Sequence, residues 1–241
     1  MKLSLRFCLI TLLALLAIGL TTSLGYWQLS RADQKLALTA VQQQLGQLPE
    51  LNNAALQVMT DPAQQVLHRR IVLRGQWIAD STVFLDNRQM NGKPGFYVIT
   101  PLQPEGGGPA VLVQRGWVQR NFVDRSSVPL IATPTGMVEL AGRIAPLPSK
   151  LYDMGEPGSG LIRQNLDLVQ FSAQTQLSLM RVSIQQSGGS EAGLLRDWPK
   201  SGLGFEKNQG YALQWFGLSA LIAFLYFWFQ LVRRFFPIRR D

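Results

Sequence analysis

The sequence predicts an α+β membrane protein in which an N-terminal and a C-terminal transmembrane helix flank an exported, antiparallel, β-rich barrel or sandwich. Three features carry this expectation. Residues 7–25 (FCLITLLALLAIGLTTSLG) contain no charged side chain, and neither do residues 211–232 (YALQWFGLSALIAFLYFWFQLV). At 1.5 Å per residue each run is long enough to cross a hydrocarbon core of roughly 30 Å. Between them lie six short runs rich in β-branched and aromatic residues, separated by Gly, Pro and Asn, as strands are separated by turns.

Residues 1–6 carry Lys2 and Arg6, and residues 233–241 carry Arg233, Arg234, Arg239 and Arg240. By the positive-inside rule both ends are cytoplasmic and the intervening segment is exported. An uncleaved first span is expected, because its apolar core fills nearly the whole run and no A-x-A-like cleavage site follows. Residues 26–65 predict a juxtamembrane helix and a linker. Leu38, Val41, Leu45 and Leu48 recur at helical spacing after Ser30 and Asp33, Pro49 stops the pattern, and Asn52-Asn53 and Asp61-Pro62 signal turns.

Residues 66–208 are expected to form the exported domain. Its strands are VLHRRIVLRGQWI, STVFLDNR, GFYVITPL and AVLVQRGWV, followed by residues 136–145 and 179–186. Residues 91–95 (NGKPG) and 104–109 (PEGGGP) read as turns, and Leu168, Phe171 and Thr175 share one face of a short helix. The second span covers residues 209–232 and the basic tail residues 233–241.

Charge and composition exclude several functions. The six basic residues of the two ends, less Asp241, account for +5 of the formal charge of +8. The basic balance therefore reports membrane topology, and no nucleic-acid partner is expected. The single cysteine, Cys8, lies inside the first span, so no intramolecular disulfide forms. The single histidine, His68, stands beside Arg69 and Arg70, whose charges favour its neutral form. One histidine and no exported cysteine do not assemble a zinc or copper site of the usual N/S type. Neither a nucleophile elbow nor a P-loop is present, and Asp86, Asp124, Glu139, Asp153 and Glu156 stand singly, so no catalysis is expected.

Ordered clusters remain. Residues 25–31 (GYWQLSR), with Lys35 beyond, leave the first span. Residues 85–92 and 95–102 (GFYVITPL) lead to 111–118 (VLVQRGWV), then come Gly142-Arg143 and Trp198-Pro199, and residues 211–216 (YALQWF) enter the second span. This ordered set resembles the Surfeit locus protein 1 family. The resemblance implies a protein of the bacterial inner membrane that assists assembly of a haem-copper (cytochrome c) oxidase. Its partners would be the lipid bilayer and the oxidase's catalytic subunit, and its cargo would be haem a, handled transiently. It also implies a haem-ligating histidine three residues before Tyr211. Asn208 occupies that position here, and an amide is a poor iron ligand beside imidazole, thiolate or thioether. A different class of function, a scaffold for another envelope complex, fits the same anchored organisation.

Gly210, Gln214 and Gly217 are spaced four and three apart, so the sequence predicts that they pack the second span against Gly19, Thr22, Ser23 and Tyr26 of the first. Asn208, Tyr211, Trp215 and Ser219 form a neighbouring face, with Tyr26 and Trp27 at the same depth and Arg31 beyond. Two readings fit this second set. One is the aromatic belt common at membrane interfaces; the other is a flat aromatic slot for a porphyrin, with Arg31 near its propionates and Tyr211 or Tyr26 as its oxygen ligand. Arg88, Arg115, Gly116 and Trp117 likewise fit either a structural role, with Gly116 permitting a bulge or close strand approach and the arginines paired to buried carboxylates such as Asp86, or a partner-binding patch.

Overall fold

The structure, a computed structural model, describes residues 4–58, 66–124, 127–151, 160–189, 193–199 and 204–232. Lys2, Asp153, Glu156 and the basic tail lie outside the described residues. The chain divides into two compact units, Met1–Ala40 with Lys200–Asp241, and Val41–Pro199.

The first unit is a pair of helices. Helix α1 runs unbroken over Leu5–Gln47, so the expected span and separate juxtamembrane helix are one rod of about 65 Å. No proline falls inside it to remove a backbone donor. The C-terminal helix, Phe205–Tyr226, continues into a π-helical stretch at Phe227–Val232. Both are long and apolar enough to cross a membrane, and only 11% and 6% of their apolar windows are buried within the protein. A core helix of a water-soluble domain would hide most of that surface.

The second unit is built on one seven-stranded sheet. Its strands are β1 (Arg70–Trp77), β2 (Val83–Met90), β3 (Lys93–Pro104), β4 (Ala110–Gln119), β5 (Met137–Ala145), β6 (Ile162–Arg163) and β7 (Leu179–Gln186). Their order is β1-β5-β7-β4-β3-β2-β6, and an added β1–β3 pairing closes the first five into a barrel. The expected barrel is present, but the sheet is mixed: β4 pairs β7, and β2 pairs β6, in parallel. The long connection between β4 and β7, which holds β5, makes the parallel pairing possible, since a tight turn joins only antiparallel strands.

Local chemistry fixes the turns. Asn91 and Gly92 both have positive φ, 51° and 75°, the geometry that a two-residue hairpin between β2 and β3 requires. A short helix, α2 (Asn53–Gln57), follows an Asn52 side chain that accepts from the Ala55 N–H; the polar sequence there predicts turns alone. Helix α3 (Leu168–Thr175) is capped by Asp167, whose carboxylate accepts from the Val169 and Gln170 N–H groups. The C-terminal helix is α4.

The barrel interior is filled from all five closing strands, by Ile71, Leu73, Leu102, Val111, Val113, Leu140, Ile144, Val182 and Ile184. A second cluster, with Leu85, Ile99, Leu112 and Phe171, seats α3 on the sheet. A third, with Phe84, Phe96, Val98 and Leu194, lies under the segment that follows β7.

His68 is positioned by its backbone, with φ of 69° and its N–H donating to the Ile144 carbonyl over 2.7 Å. Burial, and then the charge of Arg143, lower its imidazole pKa. The folded protein therefore takes up this proton at lower pH than the unfolded chain does. The contribution to stability is complete above the ordinary imidazole value of about 6.5 and is lost as pH falls from there towards the lowered folded value. Asparagine tolerates the left-handed conformation. The unfolding midpoint of His68→Asn, followed by circular dichroism, is expected to fall less between about pH 6.5 and 5 than that of the natural chain.

Candidate functional site

The helix pair of the first unit is joined by polar rungs. Thr11 Oγ1 and Tyr226 OH are 2.8 Å apart, and Thr22 Oγ1 and Ser219 Oγ 2.9 Å apart. At the polar end, Asn208 makes two bonds to α1. Its Oδ1 accepts from Lys35 Nζ at 2.7 Å, and its Nδ2 donates to Gln28 Oε1 at 2.6 Å. Lys35 also donates to the Gly204 carbonyl at 3.5 Å, at the start of α4. Between these rungs Gly25 lies against Phe216, where an added Cβ would stand 2.6 Å from the ring. Thr21, Gly25, Ala32, Ala212 and Ser219 are buried in this seam.

The predicted packing face is therefore corrected. Gly210 and Gly217 have nothing within 4 Å of the place a Cβ would occupy, and Gln214 is exposed. On α1, Gly19 and Ser23 are exposed as well; of the four expected there, Thr22 bonds to α4 and Tyr26 meets it through Phe216. Gly210, Gln214 and Gly217 are therefore not what brings the helices together. Hydroxyl and amide pairs do so, and they occupy the row through Asn208, Ala212 and Ser219, rotated from the row through Gly210, Gln214 and Gly217.

The residues expected to form a slot are divided by the same seam. Asn208 and Ser219 are part of it. Tyr211 and Trp215 stand one turn apart on α4, the tyrosine 51% exposed, and Trp27 and Arg31 stand one turn apart on α1, with the guanidinium 6.0 Å from the indole centroid. Tyr26 meets α4 edge-on through Phe216, with centroids 5.3 Å apart. Tyr26, Trp27 and Tyr211 are exposed and Trp215 is half-buried, on the two helices that the polar latch joins. What sequence reasoning misses is the pairing of Asn208 with Gln28 and Lys35, seven positions apart and so on one face of α1; their amide and ammonium groups are the available signal.

In the β-rich unit the motif residues play structural parts. Arg88 is buried and donates to the Ser149 and Gln164 carbonyls at 2.9 and 3.0 Å. It does not pair with Asp86 as expected; the bulge at Asn87 turns the chain, and Asp86 pairs with Arg120. Arg115 donates to Thr133 Oγ1 at 2.7 Å and to the Ala132 carbonyl at 2.8 Å, and stacks over Trp77. Gly116 permits close approach, because an added Cβ would lie 2.7 Å from Leu194 Cβ and 2.9 Å from the Leu195 carbonyl. Trp117 and Leu195 exchange backbone hydrogen bonds there, so β4 receives the segment that leaves this unit at Pro199. Trp198 completes the clasp, donating to the Gln186 carbonyl and meeting Tyr97 edge-on. Among the described residues, no cluster of His, Cys, Asp or Glu forms a metal site.

Comparison with known proteins gives these features a context. The SURF1 family profile matches residues 15–220, from within α1 into α4. A SURF1-like protein of Rickettsia prowazekii (strain Madrid E) is 28% identical over 226 residues, covering 90% of this chain and 88% of the relative. The Surfeit locus protein 1 of Arabidopsis thaliana is 32% identical over 129 residues, 48% of this chain and 35% of the relative. The cytochrome oxidase assembly protein SHY1 of Saccharomyces cerevisiae is 30% identical over 56 residues, 23% of this chain and 14% of the relative.

Proposed function

This chain belongs to the SURF1 family, and on that premise we propose that it is a membrane-anchored assembly factor for a haem-copper cytochrome c oxidase. It assists haem a insertion or maturation of the catalytic subunit and performs no catalysis of its own. Both termini face the cytoplasm and the β-rich unit faces the exported side of a bacterial inner membrane. The observation that carries this reading is a family match spanning both helices and the sheet, with a relative named for cytochrome oxidase assembly.

On this reading haem a is cargo. Asn208 does not fit as a resident ligand to its iron. Both polar ends of Asn208 are already engaged, one by a cation and one by an amide, and an amide is a poor ligand to begin with. What the two helices offer is aromatic area on Tyr26, Trp27, Tyr211 and Trp215, and Arg31 is the cation assigned on this reading to carboxylate groups. Such a surface suits an apolar, planar guest or the helices of an oxidase subunit, since aromatic side chains dominate contact energies. Replacing Tyr211 and Trp215 together by alanine is expected to lower copurification of the oxidase catalytic subunit with the tagged chain about tenfold or more, as loss of two aromatic anchors does. Unchanged copurification would refute the assignment of the partner surface to these two residues.

A further inference from the structure

The β-rich unit carries a groove that the helix pair does not use. A cavity of about 560 Å³ opens between the turn at Ala79–Ser81 with the start of β2 and a strap of non-sheet chain at residues 127–135. Its walls are apolar at Ala79, Phe84, Val128, Ile131 and Leu161, and Asp80 stands at its side. Val128 and Ile131 pack inwards against the cluster around Phe84 and Phe96, while Leu130 is 99% exposed.

The strap is held without belonging to any strand. The buried Arg115 anchors it through Thr133 Oγ1 and the Ala132 carbonyl. Among the described residues, the backbone N–H groups of Leu130, Ile131, Ala132 and Thr133 have no hydrogen-bond partner. A fixed backbone with unpaired donors is a template for strand addition. Asp80 is exposed and makes no hydrogen bond or ion pair among the described residues. The cation that lines the neighbouring cavity with it, Arg163, is engaged by the Gly160 carbonyl and Gln174 Oε1. The open charge at the groove is therefore negative.

We propose that this groove binds an extended segment of another protein as an added strand along residues 130–133, with an apolar side chain in the cavity and a lysine or arginine on Asp80. Backbone bonds to the strap supply affinity, and the apolar and basic side chains on alternate faces supply selection. This inference does not depend on which complex the chain helps to assemble.

The test is hydrogen exchange of the full chain in detergent micelles, with an octapeptide of alternating valine and lysine, blocked at both ends, as the probe. The expected result is slowed amide exchange over residues 128–133 with this peptide, and none with the matching valine and glutamate peptide. Asp80→Asn is expected to weaken the protection about two- to fivefold, the range of one exposed ion pair. Ala79→Trp, which fills the groove from an exposed position, is expected to abolish it while leaving the unfolding midpoint unchanged. Equal protection by both peptides, equal binding by Asp80→Asn, or no protection at 128–133 would overturn the proposal. So would a dimer in sedimentation that Ala79→Trp converts to a monomer, since the occupant would then be a second copy of this chain.

Discussion

Trp117→Ala is expected to cost about 3–5 kcal/mol, the range for truncating a large buried aromatic side chain. The indole is 2% exposed and roofs Gly95, where an added Cβ would lie 2.5 Å from the ring. Its Nε1 donates to the Arg88 carbonyl at 2.8 Å, so truncation removes a buried donor as well as packing. The effect spreads because Trp117 also holds Leu195 through its backbone, and with it the clasp of residues 193–199. Denaturant unfolding of the natural chain and of Trp117→Phe separates the contributions. Phenylalanine keeps much of the ring and is expected to lose about 1–3 kcal/mol, the cost of an unmet buried carbonyl. A loss below about 1 kcal/mol in Trp117→Ala would show that the β3–β4 face is not packed as described.

Asn208→Leu is expected to loosen the helix pair by about 1.5–3 kcal/mol, chiefly through the hydrogen bond to a charged group. Leucine removes the acceptor for Lys35 and the donor to Gln28 together, leaving the ammonium with the Gly204 carbonyl alone on α4. The hydroxyl rung at Thr22 and Ser219 provides the readout. With Cys8 replaced by alanine, the pair Thr22→Cys and Ser219→Cys is expected to crosslink rapidly, and about tenfold more slowly when Asn208→Leu is added. Asn208→His is expected to keep the fast rate, because neutral imidazole offers one acceptor and one donor. Equal rates for the asparagine and leucine chains would remove Asn208 from the seam.

Much of this architecture is legible in the residues. The uncharged runs mark both membrane helices, and β-branched runs bounded by Asn91-Gly92 and Gly106-Gly107-Gly108 mark the strands, because turns with positive φ select those residue types. Gly116 reads correctly as a close approach. The parallel pairing of β4 with β7 does not read out, since strand order depends on long-range packing rather than on local periodicity. The seam between the helices is misread for a related reason. A helix offers several rows at spacings of three and four, and Gly210, Gln214 and Gly217 satisfy the spacing rule as well as Asn208, Ala212 and Ser219 do. What selects the second row is the set of partners opposite it, Gln28, Lys35 and Thr22. The β2 bulge likewise redirects Asp86 to Arg120, a pairing that alternation along the strand does not anticipate.

The most direct test of the proposed role is the amount of assembled oxidase in membranes from a strain lacking this gene, read from the haem a absorption of solubilised membranes and from oxidase activity. Both are expected to fall several-fold in the deletion strain and to return when the natural chain is supplied. Oxidase of undiminished amount and activity in the deletion strain would contradict the assignment of this chain to oxidase assembly.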